Sequence, residues 1–263
     1  MKKIIGIIGG GNMGEALIKG LHRNNRIFVA EADRRRASYL RKKYRLTVAD
    51  INTTVEEAGI LILAVKPQDM PAVLESVRAC RWGKPIISIA AGLTTRFFEK
   101  HFPGLKIPVI RCMPNMPALI GEGITAVCAG KYATPADLKS AQSVLSSVGE
   151  TVVVKESMID AVTAVSGSGP AYVFLFVEQW MTAAKKLGFK ETESRQLVYQ
   201  TLIGSAHLLE RSEFDAATLR AKVTSKGGTT QAAMEVFLKG DSFEKLMKNA
   251  LLAAKKRAGE LAK

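Results

Sequence analysis

A glycine-rich turn that directly follows an apolar run near the N-terminus constrains the fold of this chain more than any other feature. The run KKIIGIIG has the continuous apolar character of a strand buried on both faces of a parallel sheet. The turn GGGNMG then places Gly9, Gly11 and Gly14 in the spacing G-x-G-x-x-G, at the opening of the helical pattern GEALIKGLHRN. In such a unit the first glycine permits the tight turn, the second admits a pyrophosphate close to the backbone, and the third lets the helix pack on the strand. The segment therefore predicts a dinucleotide-binding loop, and a glycine-rich turn without a ligand is the alternative.

The chain after this turn alternates short aliphatic runs with helical patterns. The predicted strands are RIFVAEA, GILILAVKP, PIISIAA, PVIRCMP and ITAVCAG. Such repetition predicts an α/β fold with an N-terminal Rossmann-type doubly wound sheet. After about Val154 the strand rhythm stops, and apolar residues recur at helical spacing. We therefore predict an NAD(P)-binding Rossmann domain over residues 1–155 and a C-terminal all-helical domain over residues 156–263. Helical domains of this kind commonly dimerise, because their apolar faces exceed what one chain covers.

The charge and the cysteine content bear on the functional class. The net charge is +14 over 263 residues, but basic runs such as RRR and RKKYR are short and lie on predicted helix faces. This favours solvent-exposed faces over a nucleic-acid groove. Three cysteines without a C-x-x-C pair and three histidines without metal-ligand spacing predict no disulfide framework, no metal site and a cytoplasmic location. The apolar run AYVFLFV ends at Glu178 and is too short to span a membrane, so no membrane partner is predicted.

The acids and arginines after the second predicted strand bear on the choice of cofactor. A carboxylate about 20 residues after the glycine loop, here Glu31 or Asp33, usually binds the ribose diol of NAD and repels the 2′-phosphate of NADP. Arg34, Arg35 and Arg36 follow at once, and guanidinium groups suit a phosphate. We predict NADP(H) as the cofactor, with Arg34 as a ligand, and NAD(H) as the alternative. Ordinary acids at a helix N-terminus are the alternative role for the two carboxylates.

The carboxyl ends of the later strands complete the predicted cofactor site. In an open parallel sheet these ends line the ligand crevice. LAVKPQ, SIAAG and RCMPNMP occupy such ends, and their small residues and prolines suit a flat surface against a nicotinamide ring, although turn chemistry explains each of them equally well. The predicted cofactor-binding residues are Gly9, Gly11, Asn12, Met13, Gly14, Arg34, Asn52, Ala64, Val65, Lys66, Pro67, Ala90, Ala91, Met113, Pro114 and Asn115.

A second glycine-rich segment, VTSKGGTT, lies at residues 223–230 and precedes the amphipathic stretch QAAMEVFLKG. Gly-Gly-Thr-Thr opening a helix can grip an anion with backbone N–H groups. The motifs GGGNMG, LAVKP, SIAAG, MPNMPA, AVSGSGPAYVF and VTSKGGTT occur in this order, and together they resemble the pyrroline-5-carboxylate reductase family over nearly the whole chain. The last two motifs make the resemblance specific, because the wider group of 6-phosphogluconate-dehydrogenase-like reductases shares only the first part.

The resemblance implies an NAD(P)H-dependent enzyme that reduces 1-pyrroline-5-carboxylate to L-proline, the last step of proline biosynthesis. It implies helical substrate-binding domains that interlock as a homodimer, often assembled into homodecamers. The second loop would hold the substrate carboxylate, with Thr230 also reaching the ring nitrogen, Val223 packing on the ring and Glu213 matching a family acid near the nitrogen. The implied catalytic residues are Thr230 and Glu213. The implied substrate-binding residues are Val223, Ser225, Gly227, Gly228, Thr229 and Thr230.

One position departs from the family pattern. Lys226 stands where the family loop usually has proline, which would preset φ at about −65° and remove a donor. We expect the lysine side chain to point to solvent and the change to loosen the loop. A reductase of the same fold acting on another imine or on a β-hydroxy acid is one alternative, but SGSGPAYVFLFVEQW offers no lysine before Lys185. A binding protein without activity is the other, and the intact second loop argues against it.

Overall fold

The protein is described here from a computed structural model that covers residues 3–262. Its strands are β1 (Ile4–Ile8), β2 (Arg26–Ala30), β3 (Thr47–Val48), β4 (Ile60–Leu63), β5 (Ile86–Ser88), β6 (Val109–Met113), β7 (Gly123–Ala129) and β8 (Gly149–Val153). They form one sheet in the order β3-β2-β1-β4-β5-β6-β7-β8. Neighbouring strands are parallel except β6 and β7, which are antiparallel.

Continuous apolar runs account for the central strands of the sheet. Almost every residue of β1, β4 and β5 is buried, because both faces of the sheet are covered. Strand β1 pairs with β2 on one side and with β4 on the other, so the strand order reverses at β1. A ligand crevice is expected outside the carboxyl ends of the strands at such a switch point. The predicted Rossmann-type sheet is confirmed.

The sequence prediction omits two edge strands and the direction of a third. Strand β3 has only two residues, which is too short to give a periodic pattern. Strand β8 lies at the opposite edge, where Val152 and Val153 remain half exposed. Strand β7 runs antiparallel to β6 because only the short connection with the 3₁₀ helix Met116–Ile120 joins them, and a parallel crossover needs a dozen or more residues.

Seven helices accompany the sheet in the described part of the chain. They are α1 (Asn12–Leu21), α2 (Arg34–Tyr44), α3 (Ile51–Glu57), α4 (Met70–Ala79), α5 (Thr95–Lys100), α6 (Pro135–Leu145) and α7 (Ile159–Val162). Local sequence fixes where several of them begin. The side chains of Asp33, Asp50 and Thr134 accept hydrogen bonds from the backbone N–H three residues on, at the starts of α2, α3 and α6. Thr134 and Asp137 form a reciprocal capping box.

Two apolar clusters hold the helices against the sheet. One cluster joins side chains of β1 and β2, such as Ile7 and Val29, to Leu17 of α1 and Val144 of α6. The other joins side chains of β4 and β5 to Leu74 of α4, Phe98 of α5 and their neighbours. Burial on both faces of the sheet is the main term that stabilises this part of the molecule, at about 25 cal/mol for each Å² of apolar surface removed from water.

The chain divides into two compact units. The first comprises the residues up to Ser168 together with the chain from Ala254 onward, and the second comprises Gly169–Ala253. The division predicted from the sequence, at residue 155, falls earlier. Residues 156–168 join the first unit because Ile159 packs against Ala126 and Cys128 of β7, while the Glu156 carboxylate accepts hydrogen bonds from the N–H and hydroxyl of Thr95 and from Arg111.

The second unit is helical, as the sequence predicts. Its helices are α8 (Gly169–Lys186), α9 (Glu191–Arg211), α10 (Ala216–Lys222), α11 (Thr229–Leu238) and the greater part of α12 (Ser242–Leu261). Within Gly169–Ala253 only Ala184, Ser194 and Val198 are buried. Large apolar side chains such as Phe174 and Leu175, both more than half exposed, have no core of their own. A unit with so little interior needs a further apolar surface to be stable.

Glu156–Lys186 forms one helical stretch that contains the apolar run AYVFLFV. By length and composition alone it would suffice to cross a bilayer, and 11% of its most apolar window is buried. An amphiphilic helix that packs against another protein chain passes the same test. The expectation that no membrane is involved therefore remains a prediction.

Candidate active site

The first glycine-rich turn has the geometry of a phosphate-binding loop. Gly9 has a φ of 101°, and a Cβ there would lie 2.7 Å from the carbonyl oxygen of Ala64, so the position requires glycine. A Cβ on Gly14 would collide with the carbonyl oxygen of Gly9, which explains why the helix can pack so closely. Gly11 is the N-cap residue of α1 and is exposed. A Cβ added there would have no atom within 4 Å. No side chain caps the first N–H groups of α1, which leaves them available to an anion.

A cleft of about 880 Å³ opens at the carboxyl ends of β1, β2 and β4. This is large enough for a sizeable part of a dinucleotide. The predicted cofactor residues that line it are Gly9, Gly11, Asn52, Ala64, Val65 and Lys66. The cleft, the glycine geometry and the helix N-terminus without a side-chain cap together fit a dinucleotide. Acidic residues that the sequence prediction did not include, Asp50 and Asp69, also line it.

Hydrogen bonds after the end of β2 determine which of the acids and arginines remain available to a cofactor. Both oxygens of the Glu31 carboxylate accept backbone hydrogen bonds, from Gly10 at 2.7 Å and from Asp33 at 2.9 Å. The Asp33 side chain accepts from the N–H of Arg36 at 2.8 Å and so caps α2. Arg34 and Arg35 occupy the first turn of α2 and are exposed. Both acids therefore have structural partners, while the two arginines are accessible to a phosphate.

A charged cluster forms between α1 and α2, where the sequence predicts only a solvent-exposed basic face. Glu15 of α1 receives hydrogen bonds from Arg36, Tyr39, Lys43 and Tyr44 of α2. Burial disfavours the charged form of Glu15, but the hydrogen bonds, led by that from Lys43, outweigh it and lower the pKa of the carboxyl from 4.5 to about 2. A signal was available, because positions 36, 39 and 43 share one helix face.

Glu15→Gln is expected to destabilise the protein by about 1–2 kcal/mol at neutral pH. The folded-state pKa of Glu15 lies below its ordinary value, so the ionised group contributes stability above about pH 4.5 and loses it as the pH falls toward 2. Urea unfolding at several pH values should therefore show the gap to the wild type closing in acid. Glu57→Gln, at an exposed carboxylate, is the control. A gap that stays constant down to about pH 3 would contradict this role of the charge.

The predicted cofactor residues after β5 and β6, on the other side of the switch point, are mostly buried. Ala90 is buried and Ala91 exposed after β5, while Pro114 and Asn115 are buried after β6. The Asn115 side chain accepts a hydrogen bond from the N–H of Ile124 at 3.0 Å, so it ties β6 to β7. These residues have the strand-end positions predicted for them, and Asn115 has a structural role in addition.

Gly92, in the turn after these alanines, lies against the end of the chain. Its φ is 75°, and a Cβ there would approach the carbonyl oxygen of Leu261 to 2.8 Å. Gly92→Ala is expected to cost about 1–3 kcal/mol in backbone strain plus the displacement of the C-terminal turn of α12. Gly104→Ala is the matched control, because Gly104 has a φ of 81° and open space around it. Thermal unfolding should show the larger loss at Gly92. Equal losses would mean that the C-terminal contact is not stabilising.

The motif SGSGPAY, residues 166–172, lies within a helical segment and does not form a glycine turn. The chain is helical throughout, with a π-helical turn over Thr163–Gly167 leading through Ser168 into α8. The Ser166 hydroxyl donates to the carbonyl oxygen of Val162 at 3.2 Å, and a Cβ on Gly167 would lie 2.7 Å from the Met113 side chain. Gly167 thus lies close to Met113, a predicted cofactor residue, within the π-helical turn.

The second glycine-rich loop, within the helical unit, begins α11 at Thr229 with Gly228 as its cap. Gly227 has a φ of 72°, and its N–H donates to Oε1 of Gln231 at 2.7 Å. The N–H of Gly228, which the resemblance assigns to the substrate, donates to the carbonyl oxygen of Ser225 at 3.0 Å. The first-turn N–H groups of Thr229 and Thr230 have no acceptor within the helix.

The side chains around this loop are open to a ligand. Val223 is 63% exposed, and Ser225 and Lys226 are exposed as well. The Ser225 hydroxyl lies against Gly228, where a Cβ would collide with it. Glu213 is exposed after the end of α9. The Gln231 side chain accepts a hydrogen bond from Gly227 next to Lys226, and the expected loosening of the loop by Lys226 remains a prediction.

Comparison with known proteins gives a consistent result. A family model described as pyrroline-5-carboxylate reductase dimerisation matches residues 156–261, and one described as NADP oxidoreductase, coenzyme F420-dependent, matches residues 4–92. The pyrroline-5-carboxylate reductase of Mycobacterium tuberculosis is 39% identical, over 98% of this chain and 96% of the relative. A solved pyrroline-5-carboxylate reductase from Coxiella burnetii has a TM-score of 0.93 and 33% identity, over 100% of this chain and 99% of that one. The Plasmodium falciparum pyrroline carboxylate reductase with NADP bound has a TM-score of 0.84 and 28% identity, over 100% and 98%.

Proposed function

Because this chain belongs to the pyrroline-5-carboxylate reductase family, it reduces 1-pyrroline-5-carboxylate to L-proline with NAD(P)H, and we propose that two helix N-termini hold the two anionic ligands. The N-terminus of α1, behind Gly11, receives the cofactor pyrophosphate. The N-terminus of α11, behind Gly228, receives the substrate carboxylate. The observation that carries this proposal is the occurrence of two glycine-capped helix N-termini without side-chain caps, one in each unit.

NADP(H) is the cofactor, and it supplies a hydride when it is bound. The residues proposed to hold it are those that line the cleft, the N-terminal turn of α1 and the strand ends after β5 and β6. Arg34, exposed at the first position of α2, is proposed to bind the 2′-phosphate, because the nearby carboxylates already have backbone partners. NAD(H) lacks that phosphate and remains the slower alternative.

The substrate carboxylate is proposed to bind the N–H groups of Thr229 and Thr230 and the hydroxyl of Ser225. The Gly228 N–H, already bonded to Ser225, contributes by fixing the turn rather than by direct contact. The exposed Val223 packs on the ring. In this arrangement the N-terminus of α11 supplies partial positive charge, and a hydrogen bond from the Ser225 hydroxyl orients the carboxylate.

The chemistry requires a hydride on the C=N carbon and a proton on the nitrogen, which converts the cyclic imine into a secondary amine. The imine takes up its proton from water before reduction, and the resulting iminium ion is already electrophilic. The Thr230 hydroxyl oxygen accepts a hydrogen bond from the iminium N–H, and Glu213 favours the positive charge. Because the reactants need mainly to be held in the right geometry, no catalytic triad is required.

The protein is an oligomeric enzyme with a dimerisation domain over residues 156–261. We propose a homodimer that assembles further into a homodecamer, located in the cytoplasm, with neither a membrane nor nucleic acid as a partner. The exposed apolar side chains of α8 are proposed to be covered by a second copy of the chain rather than by lipid. Sedimentation velocity in detergent-free buffer would test this, and material that stays in solution only with detergent would contradict it.

The activity is tested by following the absorbance of reduced nicotinamide after addition of pyrroline-5-carboxylate, with NADPH and NADH in parallel. Absorbance should fall with both cofactors and faster with NADPH. Folded protein that consumes neither cofactor above background would overturn the proposal. Preference for a hydroxy acid over the imine would replace the substrate while keeping the fold assignment.

A further inference from the structure

Gly10 is the middle residue of the three consecutive glycines in the first loop, and charged side chains bind both its N–H and its carbonyl oxygen. Its N–H donates to Oε2 of Glu31 at 2.7 Å, and its carbonyl oxygen accepts from Nε of Arg36 at 2.7 Å. Gly10 is buried, and a Cβ there would collide with the Leu40 side chain. Two charged side chains from separate elements therefore bind the two polar groups of one loop residue. Charge-assisted hydrogen bonds of this kind are about twice as strong as neutral ones.

Arg36 is itself fixed by Glu15. Its Nη2 forms an ion pair with the Glu15 carboxylate, and Glu15 lies in the first turns of α1, directly after the loop. Arg36 is 28% exposed and Glu15 16% exposed, so water screens the pair only in part. Arg36 thus bridges the loop and the helix that follows it. Arg34 and Arg35, two residues and one residue earlier, are both exposed.

Peptide planarity connects this bridge to ligand binding. The carbonyl of Gly10 and the N–H of Gly11 belong to one trans peptide unit, so they point in opposite directions. A guanidinium that holds the Gly10 oxygen therefore fixes the direction of the Gly11 N–H. Gly11 is exposed, lines the cleft, and has no Cβ to restrict its rotation. Without the bridge, this peptide would have to be ordered when the ligand arrives.

We propose that Arg36 is a positioning residue for the cofactor, which presets the Gly11 N–H toward the pyrophosphate by holding the Gly10 carbonyl, with Glu15 and Glu31 completing the bracket. Arg36 does not contact the cofactor. Because NADP and NAD share the pyrophosphate, the effect of Arg36 is equal for the two cofactors. This separates it from Arg34, whose proposed contact exists only in NADP. The inference rests on the NADP(H) use stated above and does not depend on which imine is reduced.

The test measures dissociation constants of NADP⁺ and NAD⁺ by titration calorimetry without substrate. Arg36→Met keeps the aliphatic stem and removes the guanidinium, and it should raise both constants by about the same factor, roughly tenfold. The KM for pyrroline-5-carboxylate at saturating cofactor should stay within about twofold. Arg35→Met is the matched control for the shared pyrophosphate and should leave the constant for NAD⁺ unchanged. Arg34→Met should raise the constant for NADP⁺ alone.

Two results would overturn the proposal. A selective loss of NADP⁺ affinity in Arg36→Met would mean that Arg36 binds the 2′-phosphate, and unchanged constants would mean that the bracket does not preset the loop. If Arg36→Met does not fold, Arg36→Lys answers the question. It keeps a positive charge beside Glu15 but has a single nitrogen, so it should give an equal, smaller rise for both cofactors. A protein that binds NADP⁺ but does not reduce the imine would refute the proposed function and leave this inference intact.

Discussion

Replacing Thr230 by alanine is expected to lower kcat by about 10- to 150-fold while the KM for NADPH changes less than about twofold. The proposed role of the hydroxyl is to accept a hydrogen bond from the protonated imine nitrogen, and hydrogen bonds to charged groups are worth about 1.5–3 kcal/mol. Thr230 lies in the first turn of α11, in the helical unit, whereas the cofactor cleft lies in the first unit. Steady-state kinetics with each substrate varied in turn measures the two effects separately.

Two variants test whether the hydroxyl is responsible. Thr230→Ser retains the hydroxyl and should recover most of the activity. Thr229→Ala removes a neighbouring hydroxyl but keeps the backbone N–H proposed to bind the carboxylate, so it should have a small effect on kcat. If Thr230→Ala lowers cofactor affinity as much as turnover, the residue has been assigned to the wrong ligand.

The fold and both glycine loops could be predicted because their signals are local. A buried parallel strand shows itself as a continuous apolar run, and a tight turn requires glycine at fixed positions, such as Gly9 with its φ of 101°. The start of α11 at Thr229 likewise follows from the glycines before it. Edge strands lack this signal, since β3 is two residues long and β8 is largely exposed. The direction of β7 depends on the length of a connection, which the run itself does not encode.

The hydrogen bonds that hold the first glycine loop in place could not be predicted in the same way, because the bonded residues are distant in sequence. Glu31 binds Gly10 across 21 positions and Arg36 binds the same residue across 26. Sequence alone leaves Glu31 as either a ribose ligand or an ordinary acid at a helix N-terminus, and Arg36 as one of three adjacent arginines. Only the strand order brings β2 beside β1 and gives each side chain its partner.

Phe174→Lys is expected to dissociate the dimer and to unfold much of the helical unit. Phe174 is 57% exposed on α8, and the unit Gly169–Ala253 buries only Ala184, Ser194 and Val198. The dimerisation model matches residues 156–261, and the proposal above is that a second copy covers such side chains. Burying one phenylalanine is worth about 2–3 kcal/mol, and in a two-fold symmetric interface each substitution counts twice. The dimer dissociation constant should therefore rise by about three to four orders of magnitude.

Sedimentation equilibrium and far-ultraviolet circular dichroism over a dilution series would measure association and helix content together. Phe174→Leu is the matched control, because it keeps an apolar side chain of similar reach and should stay dimeric. Helix content and turnover should fall together in Phe174→Lys as the protein is diluted, since a unit that buries three side chains does not hold the α11 loop in shape alone. A monomeric Phe174→Lys that keeps full helix content and full activity would show that the helical unit, with Thr230 in it, is complete within one chain.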